Sequence, residues 1–295
     1  MSFKCIGILS IGEMGYHWAR VLGARGVKVV SVEEGRSAAT RERARNVGVE
    51  IVPSMEDSVG QVDLVVSIVV PSAAKDVAAR VALALQKTGR SGFIFIDANA
   101  ISPMAAESLD RVLTNAGAHY IDGCIIGGAA KLDQGTVVYV SGPEANRLSE
   151  LNASGLQVKV LGSGATQASA FKVLHAGLSK GLAGLFTELL VGASALGLLD
   201  ETLNDYDRNY PGLVQKISNS IGSLPLHARR RSEEMIELGE TFAYYGLAPI
   251  VVPAVEKILS AIADLDTGAA GARRQPLVEA IKLFSERGLL RTKSE

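Results

Sequence analysis

At 295 residues with 47% hydrophobic side chains, the chain is long enough for one large domain or two ordinary ones, and its composition excludes a disordered chain. Thirty Lys and Arg against 31 Asp and Glu leave a net charge of −1. No basic footprint therefore points to nucleic acid, and a small neutral or mildly acidic molecule is the expected partner. Cys5 and Cys124 lie in apolar runs and read as buried thiols, which fits a reducing, cytoplasmic setting better than a disulfide framework. The sequence enters KCIGILSIG without an extended apolar leader, so secretion is not expected. Its most apolar stretch is broken by Lys172, Lys180 and Glu188 before a membrane-spanning length accumulates.

In chain order, Phe3 to Ser10 reads as a buried strand, Ser10-Ile11-Gly12-Glu13-Met14-Gly15 as a turn, and Tyr16 to Gly26 as an amphipathic helix. Strand, glycine turn and helix in succession form a unit. His17, in the first turns of that helix, is expected to be structural. Val27 to Glu33 is the next strand and Arg36 to Asn46 the next helix. Further apolar runs at Ile51-Val52, Leu64 to Val69, Phe93 to Ile96 and Tyr120-Ile121 are separated by helical segments at Ala73 to Gln86 and Met104 to Ala116. This alternation predicts a parallel sheet covered by helices on both faces, an α/β architecture of the Rossmann type. Thr136 to Ser141 and Val158 to Leu161 are expected as late strands, and the domain is expected to close at residue 162.

A doubly wound sheet of this kind binds dinucleotides at the carboxyl end of its first strand, where a helix N-terminus turns free amides toward the pyrophosphate. The hexapeptide from Ser10 to Gly15 stands there, with serine in the place of the first glycine. The end of the second strand lies beside the adenosine ribose, where NAD is met by a carboxylate and NADP by Arg with Ser or Thr. This chain carries Glu33-Glu34-Gly35-Arg36-Ser37. Arg36 and Ser37 are read as a phosphate clamp, making NADP(H) the expected cofactor, with Glu34 keeping NAD(H) as the alternative. Solvated charges and a helix cap at Ser37 would account for the same residues without a ligand.

Residues 163–295 read as helical. Gly162 to Leu199 is the longest apolar stretch, and Lys172, His175, Ala176 and Ser179 fall on about one third of its circumference. Its leucines, from Leu174 to Leu190, are expected to be buried, so that the polar stripe lines a site. Glu201 to Pro211 is expected as a connector. Val214 to Ile221, Ala228 to Tyr245, Val251 to Asp264 and Leu277 to Leu289 are expected as helices, bounded among others by Pro225 and Pro253. Arg229, Arg230 and Arg231 open one of them. They form either a solvated run paired with Glu233, Glu234 and Glu237, or an anion clamp in which Arg230 touches substrate.

GILSIGEMG, Ser67-Ile68-Val69-Val70-Pro71, the segment from Ile96 to Pro103, Ile121 to Gly128, and FKVLHAGLSKG from Phe171 to Gly181 occur in the order and spacing of the β-hydroxyacid dehydrogenase superfamily. This resemblance covers nearly the whole chain and is closest to a 6-phosphogluconate dehydrogenase-like branch with a C-terminal domain of its own. It implies a Rossmann domain followed by an all-helical domain that forms a homodimer. It also implies cofactor contacts at Ser10, Ile11, Gly12, Glu13, Met14, Gly15, Val69, Val70 and Asn99, with substrate contacts at Asn99, Gly127, Gly128 and His175. Lys172 stands in the place of the family's catalytic lysine. Two departures qualify this picture: Ile126 precedes the paired glycines where a serine would hold a substrate carboxylate, and Ala176 and Ser179 interrupt the pattern that serves decarboxylation of a sugar acid.

Hydride exchange with a carbonyl or alcohol carbon needs a group that gives or takes the oxygen's proton, and a lysine on an apolar helix is suited to this. The expected activity is therefore an NADP(H)-dependent oxidoreductase acting on a small polar or acidic substrate, with Lys172 as acid-base and no metal. Reduction of C=N bonds on the same fold, as in imine reductases, and a non-catalytic NADPH sensor or scaffold are the alternatives.

Overall fold

The computed structural model describes residues 3–32, 37–268 and 272–291. Two compact units divide at Lys172 and Val173, so the first unit extends past residue 162 into the start of a long helix.

The first unit is built on an eight-stranded sheet. Its strands are β1 (Cys5–Leu9), β2 (Lys28–Val32), β3 (Glu50–Val52), β4 (Leu64–Ser67), β5 (Phe93–Asp97), β6 (Ala118–Ile126), β7 (Val137–Ser141) and β8 (Gln157–Gly162), in the spatial order β3-β2-β1-β4-β5-β6-β7-β8. Neighbours from β3 through to β6 are parallel, β7 is antiparallel to β6, and β8 is parallel to β7. Phe93, Ile94, Phe95 and Ile96 are each 1% exposed or less, as required of a strand covered on both faces. One face packs Trp18 and Leu22 of helix α1 (Glu13–Gly23) with Leu148 and Leu151 of a 3-10 segment. The other is covered by α3 (Met55–Gln61), α4 (Pro71–Thr88) and α5 (Pro103–Asn115).

Local signals start and stop these helices. Ser102 accepts a hydrogen bond from the Ala105 amide with Pro103 following it, and α4 closes on Gly89 at φ 67. The short helix α3, begun by Ser54 accepting from the Asp57 amide, was not expected from the sequence. Neither was the 3-10 segment Ala145–Ser154, nor the length of β6.

Helix α6 (Gln167–Ala195) begins within the first unit and continues into the second. The second unit adds α7 (Leu199–Asn209), α8 (Leu213–Ile221), α9 (Leu224–Tyr244), α10 (Val251–Ala263) and α11 (Leu277–Glu286), and none of its described residues is in a strand. Its core gathers Leu190, Ile217, Ile221, Leu259, Ile281 and Phe284.

Three expectations for this half are corrected. The connector after Asp200 is a helix, α7, with Asp200 and Glu201 in its first turn and Arg208 in its last, charges placed to suit the helix dipole. Pro253 does not bound α10 but lies in its first turn, where an N–H has no intrahelical acceptor. Most importantly, α6 is not buried all round. Ala183, Phe186, Leu190 and Val191 are covered, whereas Leu174, Leu178, Leu185 and Leu189 are 49%, 67%, 50% and 44% exposed. A single chain supplies cover on one side only. There α9 and α10 come close enough that a β-carbon at Gly177 would lie 2.4 Å from a Leu238 methyl, and one at Gly184 would lie 3.0 Å from a Val255 methyl.

Candidate active site

The parallel strands β1, β4, β5 and β6 end at the same edge of the sheet, and the strand order reverses between β1 and β4. Open α/β sheets bind ligands at such a switch point. Ser10, just past β1, has φ 86, the left-handed conformation that glycine would adopt without strain. Ile11 is buried, and Gly12 begins α1 with no side chain capping it. At Gly15 a β-carbon would stand 2.2 Å from the Ser10 carbonyl oxygen, so only glycine lets the helix start this close to the strand. The first amides of α1 are thereby left uncapped by any side chain at the positive end of the helix dipole. Glu13 is exposed and Met14 half-buried beside them.

Asn99 is 4% exposed and holds the ends of two strands together. Its side-chain oxygen accepts from the Val69 amide at 2.6 Å, its side-chain nitrogen donates to Ser67 Oγ at 3.0 Å, and its own amide donates to Asp97 Oδ1 at 2.9 Å. Both ends of the carboxamide are thus engaged within the protein. The Val69 N–H is engaged with them, while Val70 projects with 65% exposure.

At the end of β6, Lys172 Nζ donates to the Ile125 carbonyl at 2.6 Å. Ile126 is half-buried and Gly127 and Gly128 are exposed. Gly127 has φ 133, with Thr136 so close that a β-carbon would meet its hydroxyl at 2.2 Å, whereas nothing lies within 4 Å of one at Gly128. Thr136 Oγ1 donates to the Gly128 carbonyl at 2.7 Å and fixes the loop. The start of α6 is held to the sheet by Asp122. Its Oδ2 accepts from the Ser169 amide at 2.7 Å and its Oδ1 from the Ser169 hydroxyl at 2.5 Å, while Ser141 Oγ accepts from the Ala168 amide at 3.0 Å. Phe171 packs against Tyr139 at 4.6 Å between ring centres, the two planes tilted by 51°. Burial pushes the Cys124 thiol up to about 12 against the pull of the Lys172 charge, so this thiol stays protonated.

Comparison with known proteins adds a family to this geometry. Residues 5–153 match the NAD binding domain of 6-phosphogluconate dehydrogenase, and residues 193–262 match a domain of unknown function, DUF1932. A solved conserved protein, MTH1747, described as structurally similar to 3-hydroxyacid dehydrogenases, is 30% identical, with a TM-score of 0.77 over 88% of this chain and 97% of that one. The chain belongs to the β-hydroxyacid dehydrogenase superfamily. A 28.5 kDa protein of Methanothermus fervidus, from the 5′ region of a 7S RNA, is 29% identical over 263 residues, 88% of this chain and 99% of the relative. The 3-hydroxyisobutyrate dehydrogenase of Mycobacterium tuberculosis shares the fold at 19% identity and a TM-score of 0.72, over 91% of this chain and 98% of that one.

Within this superfamily member, the expected site residues differ in what the structure gives them to do. Arg36 and Glu34 lie outside the described residues. Ser37 caps α2 (Ala38–Asn46), accepting from the Thr40 amide at 3.2 Å, with its hydroxyl 3.0 Å from that of Thr40. His175 and Ser179 are exposed on α6 and Ala176 is half-buried. In the second unit the arginine run is paired: Arg229 with Asp264, Arg230 with Glu234, and Arg231 with the Ser220 carbonyl and the Ser223 hydroxyl, each at 2.8 Å. Glu234 also pairs with Lys180. The residues not singled out in advance are Asp97, Asp122, Ser141 and Ser169, which hold the expected ones in place. Asp97 and Asp122 belong to motifs of the superfamily, but only strand register shows that they face each other. Among the described residues no helix is long and apolar enough to cross a membrane.

Proposed function

We propose that this protein is an NADP(H)-dependent oxidoreductase that interconverts a carbonyl and an alcohol on a small polar or acidic substrate. The observation that carries this reading is the placement of Lys172. Its ammonium is hydrogen-bonded at the carboxyl end of β6, beside the exposed Gly127-Gly128 backbone and at the same edge of the sheet as the uncapped start of α1.

The turn from Ser10 to Gly15 fits a dinucleotide, because close approach of strand and helix leaves main-chain amides rather than side chains to meet a pyrophosphate. When bound there, the nicotinamide supplies hydride to a carbonyl carbon or accepts it from an alcohol carbon. Lys172 gives the carbonyl oxygen its proton in reduction and takes the hydroxyl proton in oxidation. Asn99 acts mainly by fixing the Val69 and Val70 turn, which would hold the cofactor. Gly127 and Gly128 would let substrate reach the backbone, and His175, three residues after Lys172 on α6, is proposed as a supporting contact. Arg36, with Ser37, is the proposed partner of the ribose phosphate that separates NADP from NAD.

Ile126 favours a second reading of the substrate. An isoleucine cannot anchor a carboxylate, so a compact carbonyl compound, or an imine reduced by the same hydride, fits this edge better than a hydroxyacid held by its carboxylate. Following NADPH absorbance across aldehydes, keto-acids, hydroxyacids and cyclic imines tests this directly. Turnover of only the imines would replace the carbonyl reading, and tight NADPH binding without any turnover would favour a sensor.

The bare leucines of α6 support a homodimer through the second unit. With Leu238, Phe242 and Val255, the leucines at 174, 178 and 185 line an apolar cleft of about 420 Å³, the kind of surface a soluble chain covers with a partner.

A further inference from the structure

At the carboxyl end of the sheet a row of polar residues runs in register through neighbouring strands. Ser67 of β4 is opposite Asp97 of β5, Asp97 is opposite Asp122 of β6, and Asp122 is opposite Ser141 of β7. Residues so paired project from the same face. Asp97 is 1% exposed and the other three 0%, although the preceding positions on this face are the stacked rings of Phe95 and Tyr120.

Two carboxylates facing each other here cannot both be charged cheaply, and their donors decide which one is. Asp122 has the two Ser169 donors, the Ser141 hydroxyl at 3.5 Å and the amino end of a long helix above it, all of which favour an anion. Asp97 has the Asn99 amide on Oδ1, while its Oδ2 is buried with no partner. Around Asp97 stand Ser67 from β4, Asn99 beyond β5, and Asp122 with the protonated Tyr120 phenol from β6. Ser141 from β7 and Ser169 from α6 face Asp122. Burial, with the facing Asp122 charge, raises Asp97 to about 7, and burial raises Asp122 less, to about 6, against its hydrogen bonds.

We propose that Asp97 and Asp122 hold one negative charge between them, Asp97 as a neutral acid and Asp122 as the anchor of α6, and that this pair positions Lys172. Ser169 and Lys172 lie three residues apart on one helix face, as Asp122 and Ile125 lie three apart on β6. The start of α6 is therefore tied to β6 twice, and the Asp122 to Ser169 contact sets where the Lys172 ammonium comes to rest. At the other end, Asp97 receives the amide of Asn99, whose side chain holds the Val69 turn. Loss of the Asp97 proton places a second buried anion against Asp122 and disturbs both ends of the row. Only the consequence for turnover rests on the dehydrogenase reading.

The test uses the full chain and two readouts that need no substrate. Infrared spectra of the parent protein at pH 7 should show a protonated carboxyl band that declines toward pH 9, and Asp97→Asn should remove most of it. No such band at pH 7, or one undiminished in this variant, overturns the shared charge. Should Asp97→Asn fail to fold, carbon-13 aspartate resonances of the parent decide the same point. One carboxyl must titrate near neutrality, and titration of all of them below about pH 5 contradicts the proposal. For the positioning role, labelling of Lys172 by an amine-selective reagent is followed by mass spectrometry. Ser169→Ala should label several-fold faster than the parent, and Ser169→Thr should return to the parental rate. Equal rates in Ser169→Ala and parent, or no rescue by threonine, overturn that role. These outcomes stand or fall separately from any assay of turnover.

Discussion

Gly15 lies so close to the Ser10 carbonyl that a β-carbon on it would stand 2.2 Å from the oxygen. Main chain cannot yield as the end of a long side chain can, so Gly15→Ala must push α1 away from β1 and misdirect its first amides. NADPH affinity by calorimetry should fall at least tenfold, with a lower thermal midpoint. Ser10→Gly should act in the opposite sense on stability. Relief of the left-handed conformation at φ 86 is worth about 1 kcal/mol, partly offset by the greater freedom of an unfolded glycine.

Cofactor preference should follow the residues after β2. NADPH is expected to bind more tightly than NADH, and Arg36→Ala should remove most of the difference. Equal affinities in the parent protein would contradict the assignment. Ser37→Ala separates the helix cap from the proposed phosphate contact: loss of the cap on α2 should cost about 1 kcal/mol in unfolding experiments, whether or not cofactor is present.

The exposed leucines predict assembly. Leu178, at 67% exposure, is placed to be covered by a second copy, so the parent should scatter light as a dimer at micromolar concentration. Leu178→Glu should shift it to monomer while circular dichroism stays helical. A monomeric parent would refute the dimer.

Asp97 and Asp122 also give a pH dependence of stability. Both are raised on folding, Asp97 to about 7 and Asp122 to about 6, from an unfolded value of about 3.9. The folded state then binds more protons than the unfolded one between these limits. The pair's contribution is fully present below about pH 4 and is lost as pH rises through about 6 and 7. Urea midpoints of Asp97→Asn should therefore decline less than those of the parent between pH 5 and pH 8. Parallel pH profiles would show that Asp97 is already ionised.

Much of the first unit was legible because its strands are short continuous apolar runs between turn residues, as IFI within β5 and VVS within β4 are. The short helix α3 was not, since seven residues are too few to display a helical period. The second unit was legible as helices but misread in its burial. A leucine pattern shows that a face is apolar without saying whether the same chain covers it, and Leu174 and Leu178 stay exposed. At the site, Lys172 stood out as a cation within an apolar helix. Asp97 and Asp122 could not, because twenty-odd residues of helix and turn separate them in sequence and only the register of β5 with β6 puts them opposite each other. The hydrogen bonds of Asn99 with Val69 and Ser67, and of Ser37 with Thr40, were invisible before folding.

Replacement of Lys172 by methionine isolates its part in proton transfer. Methionine keeps an unbranched apolar stem and loses the proton donor, so folding and NADPH affinity should change little. Turnover of whichever carbonyl or alcohol substrate the absorbance screen identifies should fall by about 10²–10⁴-fold. Unchanged turnover in Lys172→Met, with the cofactor still bound, would contradict the account.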